Sequence, residues 1–134
     1  MPKFLLTYLA TGVSFAALDF VWLTQAGPRV YRPALDSVLA AQPSLPAAVV
    51  FYLFYIAGVV ALAIWPYRET GVGRIAAAGA MLGAVAYATY DLTNQATLAV
   101  WQTRITLIDV AWGTFATAAG SAVGGWVWRR LARA

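Results

Sequence analysis

The sequence contains no cysteine and no histidine. Those absences remove disulfides, thiol nucleophiles, Cys/His zinc sites, histidine-ligated haem and histidine proton relays. Any chemistry has to run on Asp, Glu, Tyr, Ser/Thr, Asn/Gln, Arg or Trp, and a bound metal would need oxygen ligands. No cofactor is read from the sequence. Phosphate loops, nucleophile elbows and zinc-protease signatures are absent as well, and an enzyme is not the expectation. Charge is scarce: nine Lys/Arg and five Asp/Glu in 134 residues, against a hydrophobic share of 62%. So few polar residues cannot cover the surface of a water-soluble domain of this length. Lipid must be the solvent for most of the chain. The net charge of +4 rests on basic residues at segment ends, which read as topology signals and anionic-lipid contacts. No nucleic-acid partner is implied.

What is abundant is apolar sequence in four runs, about 4–25, 47–66, 75–98 and 105–128. Each matches a hydrocarbon core of about 30 Å at about 1.5 Å per helical residue. The expected fold is an all-α membrane protein, an antiparallel bundle of four transmembrane helices making one integral membrane domain over 1–134. The basic start before the first run resembles a signal peptide, but the run continues past Asp19 through Phe20-Val21-Trp22-Leu23 and reads as a retained helix. Residues 27–46 are too polar to span. Gly27-Pro28-Arg29 is expected to end the first helix, and Ala34 to Ala40 to form a short interfacial helix before Pro43 and Pro46. The connection Arg68 to Arg74 is short enough only for antiparallel neighbours. Helical periodicity gives each polar span a seam: Tyr8, Thr11, Gly12, Phe15, Asp19 and Trp22 in the first; Ala76, Ala80, Ala84, Tyr87, Asp91 and Asn94 in the third; Asp109, Gly113, Ala116, Gly120 and Gly124 in the fourth.

Three of the five acids fall inside the runs, and all three fall at one depth. Asp19 lies about six residues before the end of its span, Asp91 about seven before its own, and Asp109 about four after the start of the last. At about 1.5 Å per residue that is a layer roughly 6 to 11 Å below one surface. The stretch Tyr87-Ala88-Thr89-Tyr90-Asp91-Leu92-Thr93-Asn94 adds phenols, hydroxyls and a carboxamide to the same layer. Asp19-x-x-Trp22 and Asp109-x-x-Trp112 place an indole beside each carboxyl. Asp19, Asp91, Asp109, Asn94, Tyr87, Tyr90, Trp22 and Trp112 are therefore the candidate ligand-binding residues, because ionisable groups inside a span ordinarily face a partner, a cavity or a pathway. Structural roles compete with this reading. Thr106-x-x-Asp109 fits a capping box, Asp19 can join helices by accepting a hydrogen bond, and Asp91 with Asn94 can pair with Arg29, Arg32 or Arg104. The aromatic residues suit an interfacial belt.

On Ala17-Leu18-Asp19-x-x-Trp22-Leu23, Tyr87-Ala88-Thr89-Tyr90-Asp91-Leu92-Thr93-Asn94 and Ile108-Asp109-Val110-Ala111-Trp112-Gly113-Thr114, the chain resembles a bacterial family of predicted inner-membrane proteins, domain of unknown function 2177. The likeness extends to Tyr31-x-x-x-Leu35 and Phe51-Tyr52-Leu53-x-Tyr55. It implies a four-helix inner-membrane protein and brings no activity with it.

Three functions fit these observations. The first is a protein that binds or translocates a small molecule, proton or cation through an Asp-lined pocket open to the non-cytoplasmic side. The second is a structural or accessory subunit of a larger membrane complex or homo-oligomer. The third is an intramembrane enzyme on a lipid-like substrate. The partners these readings call for are the lipid bilayer, a small-molecule ligand or proton, and a second copy of the chain or a larger membrane complex. Lys3, Arg68, Arg74, Arg129, Arg130 and Arg133 lie on the side of the termini and Arg29, Arg32 and Arg104 on the other, which puts both termini in the cytoplasm. The cysteine-free chain makes this directly testable. In intact cells a membrane-impermeant maleimide is expected to label Ser37→Cys and to leave Ala134→Cys unlabelled until the membrane is opened; the reverse pattern would invert the topology.

Overall fold

Four helices make up nearly all of residues 2–134, the part of the chain described by the computed structural model. They are α1 (Pro2–Leu35), α2 (Leu45–Tyr67) and α3 (Val72–Thr97), followed by α4 (Thr103–Arg133). No strand occurs among the described residues, so the all-α expectation holds. The helices α1, α2 and α3 are each long and apolar enough to cross a membrane. The fourth has a different character. It sits between α1 and α3 and packs against both, burying Thr106, Asp109, Gly113, Thr117, Gly120, Ser121 and Gly124. Its small and polar residues face protein, so it needs less hydropathy of its own than the helices around it.

The distribution of residues is inverted relative to a water-soluble bundle. Leu5, Val13, Phe20, Leu45, Val50, Phe54, Met81 and Leu107 lie on the outside, while Thr7, Thr11, Asp19, Asp91, Asp109, Thr117 and Ser121 lie inside. Hydroxyls near the surface bond back to their own helix: Thr89 Oγ1 donates to the Val85 carbonyl at 2.7 Å and Thr97 Oγ1 to that of Thr93 at 2.8 Å. Such bonds satisfy a hydroxyl without water, which is what a hydrocarbon surrounding demands.

Gly27-Pro28 does not end the first helix. The chain passes through a π-helical turn, Gly27–Tyr31, straight into Arg32–Leu35. Proline has no N–H to donate and its ring crowds the carbonyl four residues back. The turn here is widened, and the Arg32 N–H bonds to the Gly27 carbonyl, five residues back. Helix ends at Leu35, so the stretch after the first span is helical but shorter than Ala34 to Ala40, and continuous with α1. A second π-helical turn, Val60–Ile64, precedes Pro66 in α2. The capping box that Thr106-x-x-Asp109 could have made does not form either. The cap residue is Gln102, and Thr106 Oγ1 donates instead to Gln95 Oε1 at 2.7 Å.

The seams of α1 and α4 face inward as the periodicity predicts: Thr11, Phe15 and Asp19 are buried, as are Asp109, Gly113, Ala116, Gly120 and Gly124. In α3 the buried line is Ile75, Gly79, Gly83 and Asp91. It runs one position before the expected Ala76, Ala80 and Ala84, because glycine admits a closer partner than alanine and the α3–α4 contact takes that option. A Cβ added at Gly83 would run into the Gly113 carbonyl oxygen and the Thr117 side chain. Since a backbone atom cannot step aside, Gly83→Ala is expected to destabilise the fold by about 1–3 kcal/mol, read by reversible unfolding in mixed micelles. Ala84→Gly on the neighbouring face serves as the comparison, with a loss below about 1 kcal/mol.

Candidate functional site

The α3–α4 seam sets the first wall of the site. With Gly113 opposite, the ring of Tyr87 lies flat against the α4 backbone, and any side chain at position 113 would collide with it. Tyr87 in turn meets Tyr55 of α2 edge to face at 6.4 Å, and the Tyr55 hydroxyl shares a hydrogen bond with Thr117 Oγ1 at 2.7 Å. Two of the three intramembrane acids, Asp19 and Asp109, share a cavity wall beside this frame.

Asp19 of α1 is held from two other helices. Its Oδ2 accepts from the Tyr52 hydroxyl of α2 and its Oδ1 from Trp112 Nε1 of α4 at 3.1 Å. Asp109 Oδ1 accepts from the Tyr31 hydroxyl, whose oxygen accepts from Trp22 Nε1 at 2.9 Å. The Trp22 and Trp112 rings stack with centroids 4.6 Å apart and planes 6° from parallel. The two Asp-x-x-Trp motifs are thus crossed: the indole of each serves the carboxyl of the other, one directly and one through a tyrosine.

Tyr31 reaches this position because of the π-helical turn. Nine residues after Trp22, an unbroken helix would place it about 180° away around the axis; one extra residue in the turn brings it back to about 80°.

Asp91 stands apart. It is fully buried and neither carboxyl oxygen has a hydrogen-bond partner. The alternative pairing of Asp91 with Arg29, Arg32 or Arg104 is not made. Among the described residues the single salt bridge is Arg68–Glu69 at 3.6 Å, and Arg29 donates to Gln25 instead.

Two cavities flank the acids. One, of about 230 Å³, is bounded by Asp19, Trp22, Tyr31, Tyr87, Asp109 and Trp112, with Tyr90 and Trp101 toward the connections at 36–44 and 98–102. Tyr90 meets Trp101 edge to face at 5.8 Å. Trp101 Nε1 donates to Thr106 Oγ1 at 3.1 Å, and Gln95 ties Thr106 to Thr103. A second cavity, of about 310 Å³, shares Tyr87, Tyr90 and Asp109 with the first and adds Phe51, Tyr55 and Ala86.

Of the eight residues singled out from the sequence, Asp19, Asp109, Tyr87, Tyr90, Trp22 and Trp112 line the first cavity. Asp91 and Asn94 line neither cavity. Sequence reasoning missed Tyr31, Tyr52 and Trp101. Tyr31 and Tyr52 lay in stretches of the family likeness, which was the available signal. Nothing in a linear reading tied either to a carboxyl on another helix. No three acidic residues come together as metal ligands among the described residues.

If these phenols are the donors that make the buried carboxyls tolerable, removing one leaves a charge-bearing group short of a bond. Tyr31→Phe and Tyr52→Phe are each expected to cost about 1–3 kcal/mol in micelle unfolding. Tyr67→Phe, at an exposed position, should change nothing measurable.

No curated protein and no solved structure matches the chain. A protein-family model described as "Predicted membrane protein (DUF2177)" matches residues 4–126, a range that takes in every residue of the site just described. On that match, with the apolar exterior and the three helices able to cross a bilayer, the chain belongs to the DUF2177 family of predicted membrane proteins.

Proposed function

We propose that the protein binds a small organic cation in the cavity between Asp19 and Asp109, from the non-cytoplasmic side of a bacterial inner membrane that it crosses four times. The observation that carries the reading is the composition of the cavity wall: two carboxyls together with the rings of Trp22, Tyr31, Tyr87, Tyr90, Trp101 and Trp112. The faces of aromatic rings are negative and attract cations, most strongly where water is excluded. Carboxyls add a formal charge to the same concave surface.

The balance of charge supports it further. Acids inside a membrane domain are ordinarily paired with basic residues or with one another. Here no Lys or Arg is bonded to Asp19, Asp91 or Asp109, so positive charge has to come from outside the chain, as a proton or as a ligand. A volume of about 230 Å³ is several times the roughly 30 Å³ that one water occupies. It accommodates a compact ammonium of several heavy atoms. The acids cluster near the end that carries the 36–44 and 98–102 connections, and the excess of basic residues at the opposite end, six against three, puts the cavity on the non-cytoplasmic side. A site near one surface suits capture from that side better than a continuous channel.

Tetramethylammonium is the simplest probe. With the full chain in nanodiscs, it is expected to bind to the wild type and to bind Asp19→Asn and Asp109→Asn at least about tenfold more weakly, a loss near 1.4 kcal/mol. Each variant must still elute as the wild type does in size-exclusion chromatography. Unchanged affinity in a folded Asp109→Asn protein would remove the proposal.

A further inference from the structure

The second cavity bears on what kind of cation the site takes. The helices α2 and α3 pack together over Val60–Ile64, where Val59, Ala63, Ile64 and Ile75 form a tight apolar core. Toward the end that carries the acids, Tyr55 and Tyr87 still meet across the pair. Just past that contact lies the cleft of about 310 Å³, lined by Phe51, Tyr55, Ala86, Tyr87, Tyr90 and Asp109.

Its chemistry is one-sided. Apart from the phenol hydroxyls, its only polar lining group is the Asp109 carboxyl, which with Tyr87 and Tyr90 also bounds the first cavity. Phe51 is 44% exposed and Tyr90 60% exposed, so the rim stands on the outer surface of the bundle, between two helices whose other outward residues are Val50, Phe54, Val85 and Leu92. That surface is the one lipid would cover. No basic residue lines the cleft.

We infer that the ligand is an amphipathic cation: its charged head lies at Asp109 in the aromatic cavity, its apolar chain lies in the cleft between α2 and α3, and it enters sideways from the bilayer. This rests on the cation-binding reading above and adds to it the substrate class and the route. An apolar trough with a carboxyl at one end is complementary to an alkylammonium in both parts. A small polar cation would leave the trough empty, and a neutral apolar molecule would leave the carboxyl unanswered. Tyr87 and Tyr90, common to both cavities, form the partition around which head and chain are arranged.

The test compares two probes, hexyltrimethylammonium and tetramethylammonium, on the full chain in nanodiscs, with binding to empty nanodiscs subtracted. Burying even a few methylenes predicts that the hexyl compound binds at least about tenfold tighter. Ala86→Trp, which fills the cleft without touching the first cavity, is expected to abolish most of that advantage while leaving tetramethylammonium within about twofold of wild type. Phe51→Ala, at the exposed rim, should reduce the hexyl advantage without endangering the fold. The inference is overturned if the hexyl compound binds no tighter than tetramethylammonium, or if neither Ala86→Trp nor Phe51→Ala lowers its advantage. Those results leave the cation site standing. Failure of both probes to bind the wild type removes the cation site itself.

Discussion

A carboxyl buried inside a membrane bundle must find donors within the protein, and the contacts among helices at one end of this bundle answer that requirement. Asp19 is answered by Tyr52 and Trp112, Asp109 by Tyr31. Because each donor comes from a different segment than its acceptor, the bonds fasten α1 to α2, α1 to α4, and the extension of α1 back onto α4. Few apolar contacts could do this so specifically. In lipid, hydrocarbon packing offers little preference for one helix arrangement over another, whereas an unanswered carboxyl disfavours every arrangement but those that supply a donor.

The rest of the bundle is joined by close approach. Gly79 and Gly83 let α3 settle against Thr117, Ser121 and the Gly113 carbonyl of α4. The approach has a consequence for the site, since Tyr87 can lie across Gly113 only when the two backbones run this near each other. Small residues in the middle of the bundle thus decide the position of an aromatic wall about one to two turns away. At the opposite end, Phe4, Trp65 and Trp128 gather in one cluster, with rings 4.8 to 5.5 Å apart. There the guanidinium of Arg68 lies 3.6 Å over the Trp65 ring. The two ends use the same residue types differently: at one the aromatics answer acids, at the other they anchor basic residues.

Asp91 is the residue that this scheme does not absorb. It is fully buried, neither of its carboxyl oxygens is hydrogen-bonded, and it lines neither cavity beside the acids.

The four helices were legible in the sequence, because hydropathy runs are one-dimensional quantities that residue order carries directly. The inward faces of α1 and α4 were legible too, since a polar seam through an apolar helix has one sensible direction. Rotation about the axis was less secure. The α3 seam falls at Gly79 and Gly83, one residue from the alanine line, because the choice depended on how closely α4 could approach. The continuation of α1 past Pro28 depended on a π-helical turn that no periodicity signals, and with it the placement of Tyr31. Which indole serves which carboxyl was decided only by tertiary structure: Asp19 and Trp112 are 93 positions apart, and nothing in the order of residues states that two helices will cross their motifs.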